Sequence, residues 1–455
     1  MMKLIKVYNN FFQRYFPSPL SIAILLTLLS FVLAFVFTKD SSESITYVGD
    51  LANAWFEGVF RPSQLVFTVH MMLILVLGHV IALSTPAKRL IDLVLSFCTT
   101  TARAAFLVSL LTILVSFFNW GFALIFGAIF ARKVGEQFQQ NKQQLNYPLV
   151  AVAAYVGMMV WHGGLSGSAP ITVAGDGHTY VNQIGVISIR ETIFSSMNMF
   201  NTMLIIFIIP LFFYFLGIKS SGHSIPSIRM AKKASQSPNT TQMPAERLEA
   251  SLWPGVAVGG MLLSYFLVIA WSKVSGGEGF LSILNLQTTN LMLLGMAFLL
   301  QGSIKNFLAS VNEAIGDVSG ILIQFPLYFG IMGIIQGSGL AGMIANMFVT
   351  ISNEWTLPIF TFLSAGILNI FVPSGGGQWQ IQAPIIIESA AKSGVEIQKL
   401  IMAMSYGDQL TNMLQPFWAL PLLGITQLSA KDILPYCLLV FGAGVMIFTL
   451  SLLVF

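Results

Sequence analysis

The sequence predicts an all-α polytopic membrane protein built from inverted repeats, with two re-entrant hairpins and two broken transmembrane helices. Three observations lead there: too few charges to wet a globule, apolar runs of membrane-spanning length, and polar breaks that recur in both halves. Of the 455 residues, 55% are hydrophobic and 9% are charged, against about 25% charged in a soluble domain. Mean hydropathy is +0.79. So little charge can coat the two polar ends of a body whose waist sits in lipid. It excludes a soluble multidomain chain. The net charge of +4 forms no basic block, so membrane lipid is an expected partner and nucleic acid is not.

The first apolar run begins near Leu20 and ends without a small-residue cleavage site, so it is a retained helix, Leu20–Phe37. Further crossings of roughly 20 residues are Gln64–Ser84, Tyr147–Ala174, Thr192–Gly217, Leu252–Trp271, Thr289–Leu300, Gly320–Gln336, Lys399–Leu428 and Ile433–Phe455. Two stretches resist a single helix. Ala104–Lys133 is interrupted at Asn119-Trp120-Gly121, and Pro358–Ala391 at Pro373-Ser374-Gly375-Gly376-Gly377. Each splits into arms of about 13 to 15 residues, roughly 20 Å of helix, too short to cross. Both are expected to be re-entrant hairpins.

With the N-terminus in the cytoplasm, sixteen Lys and Arg fall inside and six outside, as the positive-inside rule requires. Arg103 and the Arg132-Lys133 pair, which flank the first hairpin, then share a side. The C-terminus falls in the periplasm. Residues 1–218 form the first repeat, with hairpin 104–133 and broken helix 147–174. Residues 219–251, polar and aperiodic, form a cytoplasmic linker. Residues 252–272 form a connecting transmembrane helix. Residues 273–455 form the second repeat, with hairpin 358–391 and broken helix 399–428. Asn119 and Asn369 lie 250 positions apart at the ends of the first hairpin arms, and Tyr155…Pro170 matches Tyr406…Pro421. The connecting helix turns the second copy upside down, the architecture of a secondary transporter with its site between copies. Cys98 and Cys437 sit in apolar stretches as small core residues. No catalytic residue and no cofactor are expected.

The breaks are where chemistry can occur, because unpaired backbone in lipid must line a cavity or coordinate something. Ser374, Gly375, Gly376 and Gly377 open the second arm of hairpin two, where free N–H groups can seat a carboxylate. Trp379 can wall an apolar tail, as can Trp120 beside Asn119 and Gly121. The first helix break holds Ser166 and Ser168, and the second Asn412 and Gln415. A tight turn or kink with locally satisfied polar groups is the structural alternative at each. Asn119 and Asn369 can pin turns, touch substrate or lie near a bound Na⁺; no metal site is firm. Asp408 lies about 14 Å into its crossing, near the middle of the hydrocarbon core. An ionised carboxylate there would repel an anionic substrate. Protonation, or a nearby Na⁺, would remove the repulsion and couple uptake to a gradient, with Asn412 as a neighbouring ligand. A structural hydrogen bond to a neighbouring break is the rival role. His162, before the glycine break, is more simply a satisfied core histidine than a relay.

These residues also carry a family resemblance. Phe371-Val372-Pro373-Ser374-Gly375-Gly376-Gly377-Gln378-Trp379, Tyr406-Gly407-Asp408-Gln409 and Gln415-Pro416-Phe417-Trp418-Ala419-Leu420-Pro421 resemble the bacterial short-chain fatty acid transporter family. So do Asn119-Trp120-Gly121-Phe122, Gly164 to Ser168, and the opening Phe16-Pro17-x-Pro19-Leu20. The similarity runs nearly end to end except through 219–251. It implies inner-membrane uptake of small monocarboxylates such as butyrate or acetoacetate, coupled to H⁺ or Na⁺. By analogy with the wider ion-transporter group, it implies an elevator motion and a homodimer. His162 departs from the small residue usual in the family.

A dicarboxylate substrate fits less well, since no arginine lies inside a crossing to clamp a second carboxylate. From a different class, Gly164-Leu165-Ser166-Gly167 resembles the nucleophile segment of rhomboid proteases, with His162 nearby. Rhomboids lack paired hairpins and inverted repeats. A channel would need a ring-forming filter or a charged pore stripe, and neither is present.

Overall fold

The computed structural model describes residue 14 and residues 17–39, 44–220, 224–228, 244–276, 283 and 285–455. Among these every regular element is helical. In chain order they are α1 (Pro19–Thr38), α2 (Ser44–Phe60), α3 (Pro62–Ala82), α4 (Thr85–Leu95), α5 (Thr101–Phe118), α6 (Trp120–Gln140), α7 (Tyr147–Tyr155), α8 (Ser168–Val173), α9 (Val181–Ile184) and α10 (Ser196–Ile218). Next come α11 (Pro244–Ala250), α12 (Leu252–Ser275), α13 (Leu286–Gln301), α14 (Ile304–Ala314), α15 (Ser319–Gly337), α16 (Leu340–Thr350) and α17 (Leu357–Phe371). The chain closes with α18 (Gly375–Ser393), α19 (Ile397–Thr411), α20 (Pro416–Thr426) and α21 (Ala430–Val454).

Among the described residues, seven helices are long and apolar enough to cross a membrane: α1, α3, α5, α10, α12, α15 and α21. The chain is a multi-pass membrane protein. On α12, Trp253 and Trp271 are 78% and 75% exposed and stand about 27 Å apart along the axis. That spacing matches a hydrocarbon core about 30 Å thick, with an aromatic ring at each interface. Leu25, Leu28 and Val32 on α1 are likewise exposed, a face that only lipid would tolerate.

Both interrupted stretches fold back on themselves. A β-carbon at Gly127 of α6 would lie 2.9 Å from Thr112 Oγ1 on α5, which places the two arms side by side about Asn119. In the second hairpin, Gln378 Nε2 donates to Ala365 O at 2.8 Å and Gln382 Nε2 to Ser364 Oγ at 3.2 Å. Three of the four arms are longer than expected, with 18 and 21 residues in the first hairpin and 15 and 19 in the second. Helix α6 runs past Lys133 because Glu136 neutralises the basic pair there. Length alone therefore does not forbid α5 from crossing, and what is observed in each stretch is the fold-back of two helical arms.

The two halves pack alike. Gly157 lies against Thr112 and Ser116, where a β-carbon would come within 2.9 Å of Ser116 Cβ. Gly407 lies against Phe362 and Gly366, with a β-carbon 2.1 Å from Phe362 O. Each residue of the second set follows its partner in the first by 250 positions. In both halves the hairpin's first arm thus touches the broken helix where only glycine fits.

Several elements go beyond the crossings expected. Helix α2 packs against α15, and a β-carbon at Gly58 would lie 2.3 Å from Phe329 O. Helices α4 and α14 are amphipathic and follow α3 and α13. The expected crossing Thr289–Leu300 lies in α13, whose 16 residues leave it outside the seven spanning-length helices, whereas α5, expected as a hairpin arm, is one of them. Much of the linker 219–251 lies outside the described residues, as do Phe16, Lys3 and Lys6. Within the linker, Ile228 is anchored, its N–H donating to Gln139 Oε1 at 2.9 Å and its carbonyl accepting from Gln139 Nε2 at 3.2 Å.

Candidate functional site

Each broken helix stops for a readable reason. Helix α7 starts on an Asn146 cap, whose Oδ1 accepts from Leu149 N at 3.2 Å. It tightens to a 3₁₀ turn at Val156–Met159 and unwinds through 160–167, where Gly163, Gly164 and Gly167 crowd. A β-carbon at Gly164 would lie 2.6 Å from Phe117 O. Helix α19 tightens at Asn412–Leu414, and Gln415 is extended at φ −91°, ψ 121°. Pro416 forces this, since it bars the residue before it from helical geometry.

The two breaks clasp each other. Tyr155 donates its hydroxyl to Asn412 O at 2.6 Å. Gln409 Oε1 accepts from His162 N at 3.0 Å and Gly163 N at 2.9 Å. Tyr406 donates to Asn198 Oδ1 at 3.1 Å, and Asn198 Nδ2 donates to Gly163 O at 2.8 Å. Groups freed by unwinding one helix are thus met from the other, as burial demands. At the centre, His162 Nδ1 and Asp408 Oδ2 are 2.5 Å apart, with the side chains 0% and 1% exposed.

The tip of the second hairpin closes on this pair. Asn369 Nδ2 lies 2.7 Å from Asp408 O, 2.9 Å from Thr411 Oγ1 and 2.7 Å from Asn412 Oδ1. Gln415 Nε2 donates to Asn369 O. Gly375 abuts the imidazole, since a β-carbon there would lie 2.7 Å from His162 Cε1. One at Gly376 would stand 3.8 Å from Ser168 Cβ. Asp408, Asn369, Asn412, Gln415, Gly375, Gly376 and Ser168 are therefore brought together.

Other candidates sit elsewhere or do local work. Asn119 caps its own helix, its Oδ1 accepting from Phe122 N at 2.9 Å, and makes no hydrogen bond to Asn369. Ser374 caps α18 through Gly377 N at 3.3 Å. Ser166 Oγ accepts from Trp120 N at 3.1 Å, tying the first hairpin tip to the first break. Gly121 packs near Ile74 and Leu286. Trp379 belongs to a second apolar cluster with Ala169 and Val173 and meets Tyr180 edge-on. It does not share a wall with Trp120. Instead Trp120 adjoins Trp161 and Trp418, with ring centroids 5.8 and 5.0 Å away, and Trp161 stacks on His162 at 4.5 Å.

Several polar atoms here are buried with no hydrogen-bond partner in the protein. They include the acceptors Asp408 Oδ1, Asn369 Oδ1, Gln415 Oε1 and Gln378 Oε1, and the donors Gln409 Nε2, Asn412 Nδ2, Trp161 Nε1 and Trp418 Nε1. Each such atom costs about 1–3 kcal/mol, and native proteins carry few of them. Donors and acceptors concentrated at two facing helix breaks mark a place for a polar ligand with an aromatic wall at hand. Trp161, Trp418 and Gln409 were not among the site candidates expected from the sequence, and His162 is buried with both ring nitrogens engaged, as a core histidine would be. The signal was available in Gln409, a second polar side chain beside Asp408 in an apolar helix.

The hydrolase alternative fails on geometry. His162 has Nδ1 on Asp408, and its Nε2 accepts from Ala169 N at 3.0 Å, so neither nitrogen is left for Ser166. A family model described as short chain fatty acid transporter matches residues 1–455. A protein of Escherichia coli (strain K12) is 34% identical over 458 residues, covering 100% of this chain and 99% of that one. A protein of Haemophilus influenzae is 32% identical over 455 residues, covering 96% and 97%. The names of both assign them provisionally to short-chain fatty acid transport. The chain is a transporter rather than an enzyme, and it belongs to the short-chain fatty acid transporter family.

Proposed function

We propose that this protein is a secondary active transporter importing short-chain monocarboxylates, such as butyrate or acetoacetate, across the bacterial inner membrane by ion-coupled symport. The observation that carries this is the set of unpaired buried donors and acceptors where the two broken helices meet. Amide and indole N–H groups of Gln409, Asn412, Trp161 and Trp418 suit a carboxylate, and the tryptophan rings suit a short apolar tail. No lysine or arginine lies in α7, α8, α20 or the 3₁₀ turn at 156–159, and Lys399 of α19 stands in its first turn, away from Asp408, which favours a monocarboxylate over a dicarboxylate. The buried Asp408 gives coupling a chemical seat.

Both hairpins are re-entrant in this reading. The N-terminus and the 219–251 linker face the cytoplasm, and the C-terminus faces the periplasm. Movement is of the elevator type. The hairpins pack closely on the broken helices, while α1 and α2 pack chiefly on α15, which itself meets α20 and α17; in this reading the first group slides along that α15 contact.

The test is labelled butyrate uptake into proteoliposomes under an inward proton gradient and, separately, an inward Na⁺ gradient at fixed pH, beside empty liposomes. The expected result is protein-dependent initial uptake under one gradient, competed by unlabelled acetoacetate. Competition by succinate and not by monocarboxylates would move the assignment to dicarboxylates. Absence of protein-dependent uptake of either class would overturn it.

A further inference from the structure

We propose that the coupling ion is a proton and that it is loaded on Asp408 Oδ1, with His162 as the positioning residue that holds the other carboxylate oxygen. This rests on the reading of the chain as a carboxylate symporter. The backbone N–H of Ala169 donates to His162 Nε2 at 3.0 Å, so that nitrogen presents a lone pair and the ring proton sits on Nδ1. Nδ1–H therefore donates to Asp408 Oδ2, at 2.5 Å. In this form the pair holds one proton and carries one negative charge.

A second proton cannot go to Nε2, because two N–H donors would then face each other at 3.0 Å. It can go to Asp408 Oδ1, which is buried and has no partner in the protein. The step is simple: hydronium gives its proton to Oδ1, a carboxylate becomes a carboxylic acid, and water leaves. Neither existing hydrogen bond of His162 has to break. The pair becomes neutral, the repulsion of an anionic substrate disappears, and the new O–H can donate.

No other group nearby can substitute. Of the elements packed on α19, the helices α8 and α17 and the two 3₁₀ turns carry no ionisable side chain. Helix α18 carries Glu388 and Lys392, exposed and paired with each other. Helix α21 carries Lys431, Asp432, Tyr436 and Cys437, with Asp432 on the Ser429 cap and Tyr436 on Asn146. Helix α19 itself adds Lys399 in its first turn and Tyr406, whose hydroxyl is on Asn198. Tyr155 is on Asn412 O. None of these is in hydrogen-bond contact with the pair.

The experiment measures butyrate affinity of the full-length, detergent-solubilised protein by quenching of tryptophan fluorescence, as a function of pH at constant salt. The wild type should bind about tenfold more weakly for each pH unit above the Asp408 midpoint. Asp408→Asn should bind with no pH dependence. His162→Phe, which keeps the stack on Trp161 and removes the donor to the carboxylate, should move the break in the profile from its wild-type position. A merely structural role for His162 would lower affinity without moving the break. Wild-type affinity that follows Na⁺ concentration and not pH would overturn the proposal, as would an unmoved break in His162→Phe. The wild-type profile and His162→Phe decide the matter even if Asp408→Asn does not fold. Failure of the wild type to bind butyrate or acetoacetate at any pH would instead overturn the transport reading beneath it.

Discussion

Ser451 donates its hydroxyl to Asn201 Oδ1 at 3.1 Å, and the two residues stand 250 positions apart. That is the offset relating Asn119 to Asn369 and Gly157 to Gly407. The two breaks also clasp each other reciprocally, since Tyr155 reaches the second and Tyr406 reaches the first through Asn198. Residues related by this offset thus meet near the centre of the molecule.

The glycine contacts of the repeat should be intolerant in proportion to their closeness. Gly407→Ala would place a methyl 2.1 Å from a backbone oxygen, whereas Gly49→Ala has nothing within 4 Å. Overpacking at such a contact costs about 1–3 kcal/mol or more. Fluorescence-detected size exclusion should show loss of the monodisperse peak for the first variant and none for the second.

Within the Gly375-Gly376-Gly377 run, substitution should separate site from turn. Gly375→Ala presses on His162 and Trp161, but a β-carbon at Gly376 meets only ordinary contact. Butyrate transport should fall at least about tenfold for the first, equivalent to roughly 1.4 kcal/mol, and little for the second. Uptake rates normalised to folded protein check this.

Tyr155→Phe removes one hydroxyl from the clasp and leaves Asn412 O without that donor. The expected cost is about 1–2 kcal/mol. A lower thermal midpoint with the elution profile unchanged would report it, and an unaltered midpoint would exclude the bond.

Past the apolar part of α6, Glu136 accepts from Arg132 Nε at 2.9 Å and Lys133 Nζ at 2.6 Å. Burial pushes its carboxyl up, but the two cations together outweigh that and hold it below the ordinary range. The stabilisation is therefore present above the ordinary carboxyl value and is lost as pH falls through the lowered one. Glu136→Gln should cost about 2 kcal/mol near pH 7, less than a fully buried pair because Lys133 is 17% exposed. The difference from wild type should shrink in thermal melts toward pH 3.

Cys98, in the loop before α5, is fully buried, and burial pushes its thiol up to about 12. Maleimide should label neither Cys98 nor the buried Cys437 in the native protein and both after denaturation. The measurement is labelling stoichiometry by mass spectrometry.

Six of the seven spanning-length helices, the fold-backs at Asn119 and Pro373, and both helix breaks were legible in the sequence because each rests on local chemistry. Apolar length, proline and clustered glycine act within a few residues. Helix α2 was not legible, since Asp50 and Glu57 depress its hydropathy and its place depends on the glycine contact with α15. The meeting of His162 with Asp408, 246 residues away, is a product of the repeat's closure, which no local pattern announces. Trp379 and Trp120 were each expected to wall an apolar tail, and Trp379 turns to an apolar cluster of its own. Asn119 and Asn369 hold equivalent places and do different work. Only Asn369 has a broken helix within reach of its amide.

The most direct test of the transport assignment is counterflow. Proteoliposomes loaded with unlabelled butyrate are diluted into labelled butyrate with no ion gradient, and empty liposomes are run beside them. The account predicts a transient, saturable overshoot of label that needs the protein and is lost in Gly375→Ala. Label entering protein-containing and empty vesicles at the same rate, with folded protein verified, would contradict it.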